Sequence, residues 1–262
     1  MKPILEYNYH THTYRCGHAA GEEEEYIIEA IKLGIKRLGI SDHIFLPNHS
    51  QPKVRGDFIE LEGYLSSLIF LKDLYKDVIE IKIGFEAEYL PSYLPYYKKL
   101  LDNHDIDYLI LGQHCYEEDD ELKFYFSKEP SLEGFNRYVD DVIKGMDTGL
   151  FTYLAHPDLF YNSNRFLNKE DLEKGSRRII EKAIELDIPL EINMCGMKKH
   201  NYDTETHYHS NFFFELVKEY KDVKLVYGVD AHFPDWINEE DIKKLKDFAS
   251  KLGLVVSEDY RI

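Results

Sequence analysis

Histidine and carboxylate residues recur along this chain, and they stand where short candidate strands end. The most specific position is His10-Thr11-His12, which follows the candidate strand Leu5–Tyr9. Residues two apart in an extended strand point the same way, so His10 and His12 can bind one ion together. A lone histidine is more often a hydrogen-bonded structural residue, but a pair at this spacing predicts a site for Zn, Fe or Mn.

Further candidate ligands follow the later candidate strands. They lie in Ser41-Asp42-His43, Gly84-Phe85-Glu86, Gly112-Gln113-His114, Ala155-His156-Pro157-Asp158 and Gly228-Val229-Asp230-Ala231-His232, whereas the sixth candidate strand ends in Glu191-Ile192-Asn193 without a histidine. A carboxylate such as Glu86 can bridge two cations. Glu88 would share the face of Glu86 and is the alternative for that bridging role.

The number of candidate ligands exceeds the four that one tetrahedral zinc ion needs. We therefore expect about two to three divalent transition metals, which would be Zn, Mn or Fe. Closely spaced cations lower the pKa of a bound water and neutralise the oxygens of a phosphoryl group. The pattern thus predicts metal-dependent hydrolysis of a phosphate ester.

The elements that would position these residues alternate between strand and helix. Strands are predicted near Leu5–Tyr9, Arg37–Ser41, Glu80–Phe85, Tyr108–Leu111, Thr152–Ala155, Pro189–Ile192 and Lys224–Tyr227. Helices are predicted near Glu22–Leu33, Glu60–Tyr75, Pro91–Asn103, Leu132–Met146, Lys169–Leu186, Asn211–Tyr220 and Asn238–Leu252, with Ser131 and Asn238 as N-caps.

About seven such units in sequence predict a parallel sheet, because parallel strands need crossovers of this length. No linker rich in Gly, Pro or Ser divides the units, so we expect a single α/β domain over residues 1–262. A closed or distorted βα barrel is favoured over an open doubly wound sheet. Active sites of such barrels lie at the C-terminal ends of the strands, where the candidate ligands stand.

Composition narrows the class of protein. The chain has 49 Asp and Glu against 32 Lys and Arg, a formal net charge of -17. Because a nucleic acid needs Lys and Arg to replace its counterions, we expect no nucleic-acid partner. No apolar run approaches a membrane span, so no membrane association is expected. Three well-separated cysteines and a short, polar N-terminus predict a reducing, cytoplasmic location, and the sequence indicates no oligomeric state.

The same motifs, in the same order over nearly the whole chain, resemble the PHP (polymerase and histidinol phosphatase) family and its histidinol-phosphatase group. The resemblance adds Arg15-Cys16-Gly17-His18-Ala19 to the motifs above. It implies a distorted (β/α)7 TIM-like barrel with a trinuclear metal site. It also implies a phosphoric monoester hydrolase, acting on L-histidinol phosphate in histidine biosynthesis.

The resemblance also implies roles for individual residues. His10, His12, Glu86 and Asp230 match the ligands of a first metal; Glu86, His114 and His156 those of a second; and His18, His43 and His232 those of a third. Asp230 and His232 are the candidates for handling the proton of the leaving alcohol. Arg15, Lys198 and Arg165 are the candidates for holding phosphate, and Met197-Lys198-Lys199 replaces the Arg-Lys pair expected in this group.

Two alternatives stay open at this stage. The chain could hydrolyse a nucleotide or another small phosphate ester. It could also be a non-catalytic domain that binds metal, as a PHP domain can be when attached to a polymerase. The intact set of ligands favours an enzyme whose partner is a small phosphate ester.

Overall fold

A computed structural model describes residues 3–125, 131–162, 167–199 and 210–262 of the chain. Its strands are β1 (Tyr7–Asn8), β2 (Arg37–Ile40), β3 (Glu80–Ala87), β4 (Tyr108–Leu111), β5 (Cys115–Glu118), β6 (Glu121–Phe124), β7 (Leu190–Asn193) and β8 (Leu225–Gly228). Its helices are α1 (Glu23–Lys32), α2 (Glu60–Leu74), α3 (Leu94–Asp102), α4 (Leu132–Asp147), α5 (Lys169–Glu185), α6 (Met194–Lys199), α7 (Asn211–Val217) and α8 (Glu239–Leu252). The predicted N-caps are confirmed, since the side chains of Ser131 and Asn238 accept hydrogen bonds from backbone N–H groups of α4 and α8.

The strands form a curled parallel sheet in a mixed α/β fold. Strands β1 to β4 pair in that order, and β7 pairs with β8, all of them parallel. Isolated bridges extend the two groups: Leu154 pairs with Leu111 and with Leu190, and Thr11 pairs with Ala231. The C-terminal ends of the strands are therefore gathered on one side of the sheet.

Three features differ from the sequence-based expectations. The predicted strand Thr152–Ala155 enters the sheet only through the bridges at Leu154. The antiparallel hairpin β5–β6 and the short helix α6 were not expected. The hairpin directly follows His114 and α6 directly follows the end of β7, so both additions lie on the same side of the sheet as the candidate ligands.

Apolar side chains fill both faces of the curled sheet. One large buried cluster packs the helices against its outer face. A smaller cluster on the other face includes Tyr7, Tyr9, Tyr108 and Tyr153, with Tyr260 packed against it. The Tyr108 hydroxyl donates to the carbonyl oxygen of Tyr9 at 2.7 Å. This packing holds the strands rigidly against one another, so that their C-terminal ends have fixed positions. Within the described residues, no helix is long and apolar enough to span a membrane.

Candidate metal centre

The strand ends and the loops after them enclose a cavity of about 350 Å³. Its ionisable lining residues are His12, His18, Lys53, His43, Glu86, His114, His156, Lys199, Asp230 and His232. His10 lies beside these residues and is fully buried. The structure thus brings together every residue that the sequence put forward as a metal ligand.

Glu86 occupies the centre of this cluster, and its two carboxylate oxygens face different histidines. Atom Oε1 lies 2.7 Å from His156 Nε2 and 3.4 Å from His114 Nε2. Atom Oε2 lies 3.1 Å from His43 Nδ1, 3.3 Å from His12 Nε2 and 3.5 Å from His10 Nε2. This is the arrangement that a carboxylate bridging two cations requires.

The spacing of the ligand atoms around His10 and His12 suits a metal ion. Two atoms bound to one tetrahedral zinc at about 2.1 Å lie about 3.4 Å apart. Asp230 Oδ1 lies 3.2 Å from His12 Nε2 and 3.6 Å from His10 Nε2, close to that separation. None of these three atoms has a hydrogen-bond partner among the described residues, although all are buried. Buried polar atoms are rarely left in this way, and a bound cation would satisfy them together.

His18 and His232 give a second indication that the site suits a cation. His18 Nδ1 lies 3.3 Å from the Cys16 carbonyl oxygen, and His232 Nδ1 lies 3.0 Å from that of Asp230. A carbonyl oxygen can only accept, so both Nδ1 atoms must donate. The two Nε2 atoms, 3.0 Å apart, are then left with lone pairs that face each other. A cation bound by both rings would remove this repulsion.

The pKa values separate the histidines into two groups. Desolvation is the main cause that lowers the pKa of His18 to about 4 and the pKa values of His43 and His232 well below the usual range. Burial also lowers the pKa of His12, but the carboxylates of Asp230 and Glu86 outweigh it and raise this pKa to about 9. The first group is neutral at pH 7 and ready to bind metal, whereas His12 holds a proton that a metal would displace.

Glu191 holds two of the candidate ligands in place. Its Oε1 atom accepts from His10 Nδ1 at 2.8 Å, and its Oε2 atom accepts from the backbone N–H of His156 at 2.9 Å. Gly228 leaves room for this carboxylate, since a Cβ atom there would lie 1.7 Å from Glu191 Oε1. Sequence reasoning read the motif but assigned Glu191 no role.

Gly112 serves Glu86 in the same way. A Cβ atom at Gly112 would lie 1.9 Å from Glu86 Oε1. The lack of a side chain at Gly112 therefore matters for the site. It keeps open the space in which the central carboxylate sits.

Two candidate ligands have a strained backbone. His156 has a φ of 29° and Asp230 a φ of 51°, in the left-handed region that residues other than glycine seldom occupy. Such strain persists only where the surrounding structure enforces it, and it concentrates at functional sites. Here it turns both side chains toward Glu86 and His12.

Glu88 does not occupy the bridging position. Its Oε1 atom accepts from an Arg55 guanidinium nitrogen at 2.8 Å and lies 3.2 Å from His114 Nδ1. Burial raises the pKa of Glu88, but Arg55 and His114 outweigh it and lower this pKa to about 2. Glu88 is therefore an ionised neighbour of a candidate ligand, and Glu86 is the carboxylate at the centre.

Two of the three residues predicted to hold phosphate, Arg15 and Lys198, do not line the cavity. The Arg15 guanidinium pairs with Glu23 and Glu60 and does not line the cavity. Lys198 Nζ lies 2.5 Å from Asp241 and also does not line it. Arg165 lies outside the described residues.

The described cations that do line the cavity are Lys53 and Lys199, which sequence reasoning did not select. Lys199 is the neighbour of a residue that was selected, and only the geometry of α6 distinguishes the two. Lys53 stands in no motif, so the sequence held no signal for it.

Comparisons with known proteins agree with this picture. The model of the PHP domain family matches residues 8–195. A probable histidinol-phosphatase of Deinococcus radiodurans is 23% identical over 251 residues, which cover 92% of this chain and 93% of that protein. The histidinol-phosphatase of Bacillus subtilis is 24% identical over 85% of this chain and 92% of its own length.

The fold is also found among solved structures. The histidinol phosphate phosphatase of Lactococcus lactis, in complex with zinc, L-histidinol and phosphate, superposes with a TM-score of 0.68. The alignment covers 96% of this chain and 95% of that one, at 16% identity.

Proposed function

This chain belongs to the PHP domain family, and we propose that it hydrolyses a phosphate monoester, L-histidinol phosphate, to L-histidinol and inorganic phosphate. The observation that carries this proposal is the cavity in which both oxygens of Glu86 face imidazole nitrogens, with two lysines in its wall. Relatives that match most of the chain and are named histidinol-phosphatase support the substrate.

The cavity residues fit divalent transition metals, and we infer that about two to three ions bind there. His10, His12, Glu86 and Asp230 would hold one ion, and His114 and His156 would hold a second with Glu86 between them. His18, His43 and His232 would hold a third. The metals, when bound, polarise the phosphoryl oxygens and lower the pKa of a water molecule. The zinc in the Lactococcus lactis enzyme supports zinc as one occupant.

The chain's own residues would then orient the ester and move protons. Lys199 and Lys53, the lysines among the described residues that line the cavity, would hold phosphoryl oxygens. A water oxygen forms the new bond to phosphorus as the bond between phosphorus and the alcohol oxygen breaks. The leaving alcohol oxygen then takes a proton. Asp230 and His232, with Oδ1 and Nδ1 3.3 Å apart, would handle this proton. Both residues are also assigned to metals, and an atom that binds metal cannot carry this proton at the same time.

We further propose that the curled sheet is a distorted (β/α)7 barrel. The bridges at Leu154 join β4 to β7, and the bridge between Thr11 and Ala231 joins the ends of β1 and β8. Counting Leu154 as the centre of a short strand gives about seven parallel strands in a ring.

The test is a turnover screen of metal-loaded protein across phosphate monoesters at one pH. The panel contains L-histidinol phosphate, a phosphate monoester with an uncharged body, a sugar phosphate and a nucleotide. The ammonium and imidazole of histidinol phosphate suit an acidic protein, so we expect at least about tenfold higher kcat/KM for it, which corresponds to about 1.4 kcal/mol.

Each outcome of the screen selects one function. Equal rates on histidinol phosphate and the uncharged monoester, or a faster rate on the nucleotide, would contradict the histidinol assignment and favour a general phosphoesterase. Bound metal without hydrolysis of any ester, including an aryl phosphate, would favour a metal-binding module. The matched control is Glu86→Gln, which should remove turnover of every ester.

A further inference from the structure

We propose that the buried ion pair of Arg55 and Glu88 is a positioning unit for the metal centre. It fixes the ring of His114 for metal binding, and it ties the cavity wall that carries Lys53 to that ligand. The effect on substrate rests on the proposed function, whereas the effect on metal binding does not.

The ion pair is fully enclosed in protein. Arg55 and Glu88 are each only 1% exposed. The other guanidinium nitrogens donate hydrogen bonds to Gln51 Oε1 at 2.7 Å and to the Ile44 carbonyl oxygen at 3.1 Å. A planar guanidinium with these bonds has one orientation, so the position of the Glu88 carboxylate is fixed as well.

Glu88 in turn fixes His114. The Glu88 Oε1 atom that accepts from Arg55 lies 3.2 Å from His114 Nδ1. A carboxylate paired with a guanidinium offers no proton, so Nδ1 must be the donor. This leaves the lone pair of His114 on Nε2, which faces Glu86 Oε1 at 3.4 Å. A carboxylate that sets the tautomer and the ring orientation of a metal-ligating histidine raises metal affinity.

Arg55 also anchors the segment between β2 and α2. Lys53 and Val54 of this segment line the cavity, and Lys53 has a left-handed backbone with a φ of 71°. The backbone N–H groups of Val54 and Arg55 both donate to the Gln51 carbonyl oxygen at 3.0 Å, which closes a tight turn. The buried guanidinium therefore holds the turn that presents Lys53, and the same side chain reaches the partner of His114.

Three variants separate positioning from stability. Arg55→Met and Glu88→Leu each leave a buried charge unpaired, so each should lower the melting temperature of the metal-free protein. The double variant removes both charges, and its melting temperature should return most of the way to wild type. Its zinc affinity, measured by competition with a chromophoric chelator, should nevertheless stay about 10–100-fold lower for one ion per chain, because His114 has lost its partner.

A matched control comes from the opposite end of β2. Arg37 is a second buried arginine, paired with Asp259. Arg37→Met should lower the melting temperature and leave zinc affinity unchanged. Wild-type zinc affinity in the double variant would overturn the proposal and make Arg55 and Glu88 purely structural.

A spectroscopic measurement covers the case in which the double variant does not fold. In zinc-loaded wild-type protein labelled with ¹⁵N-histidine, the resonances of His114 should be those of a ring protonated on Nδ1 with metal on Nε2. A proton on Nε2 would overturn the proposal.

The link between Arg55 and the cavity wall that carries Lys53 is tested by steady-state kinetics. Arg55→Lys keeps the charge but loses the bonds to Gln51 and Ile44, and it should raise KM by about three- to tenfold with a smaller change in kcat. A change in kcat alone would overturn the part of the proposal that concerns Lys53. If wild-type protein does not hydrolyse histidinol phosphate, only the proposed function fails, since the zinc and NMR measurements use no substrate.

Discussion

Lys198 and Lys199 are adjacent in the sequence, but their side chains lie in different surroundings. Lys199 lines the cavity, whereas Lys198 lies over the Trp236 ring, with Nζ 5.0 Å from its centre, and pairs with Asp241. Replacing each in turn by Met keeps the length of the side chain and removes the charge. The pair of variants asks which lysine holds the phosphoryl group.

The size of the effect follows from the contacts. A hydrogen bond to a charged group contributes about 1.5–3 kcal/mol, which corresponds to about 10–150-fold in kcat/KM. Lys199→Met should therefore lower kcat/KM by at least about tenfold. The Lys198 side chain is 29% exposed, and a pair of this kind contributes at most about 1 kcal/mol, to stability rather than to catalysis. Lys198→Met should lower kcat/KM by less than about threefold.

The assay is steady-state hydrolysis at one metal loading, with melting temperature and zinc content measured on the same samples. Unchanged zinc content in Lys199→Met would show that the loss concerns phosphate and not the metals. A loss in Lys198→Met equal to or larger than that in Lys199→Met would refute this assignment. It would then favour Lys198, the residue selected from the sequence.

Three other predictions concern the metals themselves. Elemental analysis of protein reconstituted with Zn, Mn and Fe should give about two to three ions per chain, and a consistent value of one or fewer would contradict a trinuclear site. Gly112→Ala should lower metal content and activity nearly as much as Glu86→Ala, because the added methyl group would displace the Glu86 carboxylate. The control Gly63→Ala, in α2, should change neither metal content nor activity. Zinc binding at pH 7.5 should release protons, because neighbouring carboxylates raise the pKa values of His10 and His12 in the metal-free site. Calorimetry in buffers of different ionisation enthalpy would detect this release, and binding without it would contradict the prediction.

The clustering of the candidate ligands could be predicted because it follows from strand periodicity and from the positions of strand ends. His10 and His12 stand two apart at the end of β1, and alternation in a strand places them on one face whatever the details of packing. The parallel pairing of β1 to β4 follows from the long crossovers between them. These features depend on local spacing, which a sequence displays directly.

The cations of the cavity wall could not be predicted, because they depend on how irregular segments fold. Lys53 reaches the cavity through a tight turn closed by Gln51. The buried Arg55 next to this turn pairs with Glu88, which lies far away in the sequence. Arg15 was a candidate for holding phosphate because it is a cation in an acidic protein, yet it pairs with Glu23 at the start of α1. Charge alone does not say which carboxylate an arginine will meet.

The charges of the centre link metal binding to folding. Glu86, Glu191 and Asp230 are each at most 4% exposed and lie among histidines whose own charging is opposed by burial. Without cations, carboxylates at this density cost free energy to bury, and protons on His12 offset only part of it. Metal ions supply the missing positive charge, so their binding free energy also becomes stability of the fold. The features that make the metal-free centre costly, namely buried acids, facing lone pairs and strained ligands, are therefore the source of its affinity for metal.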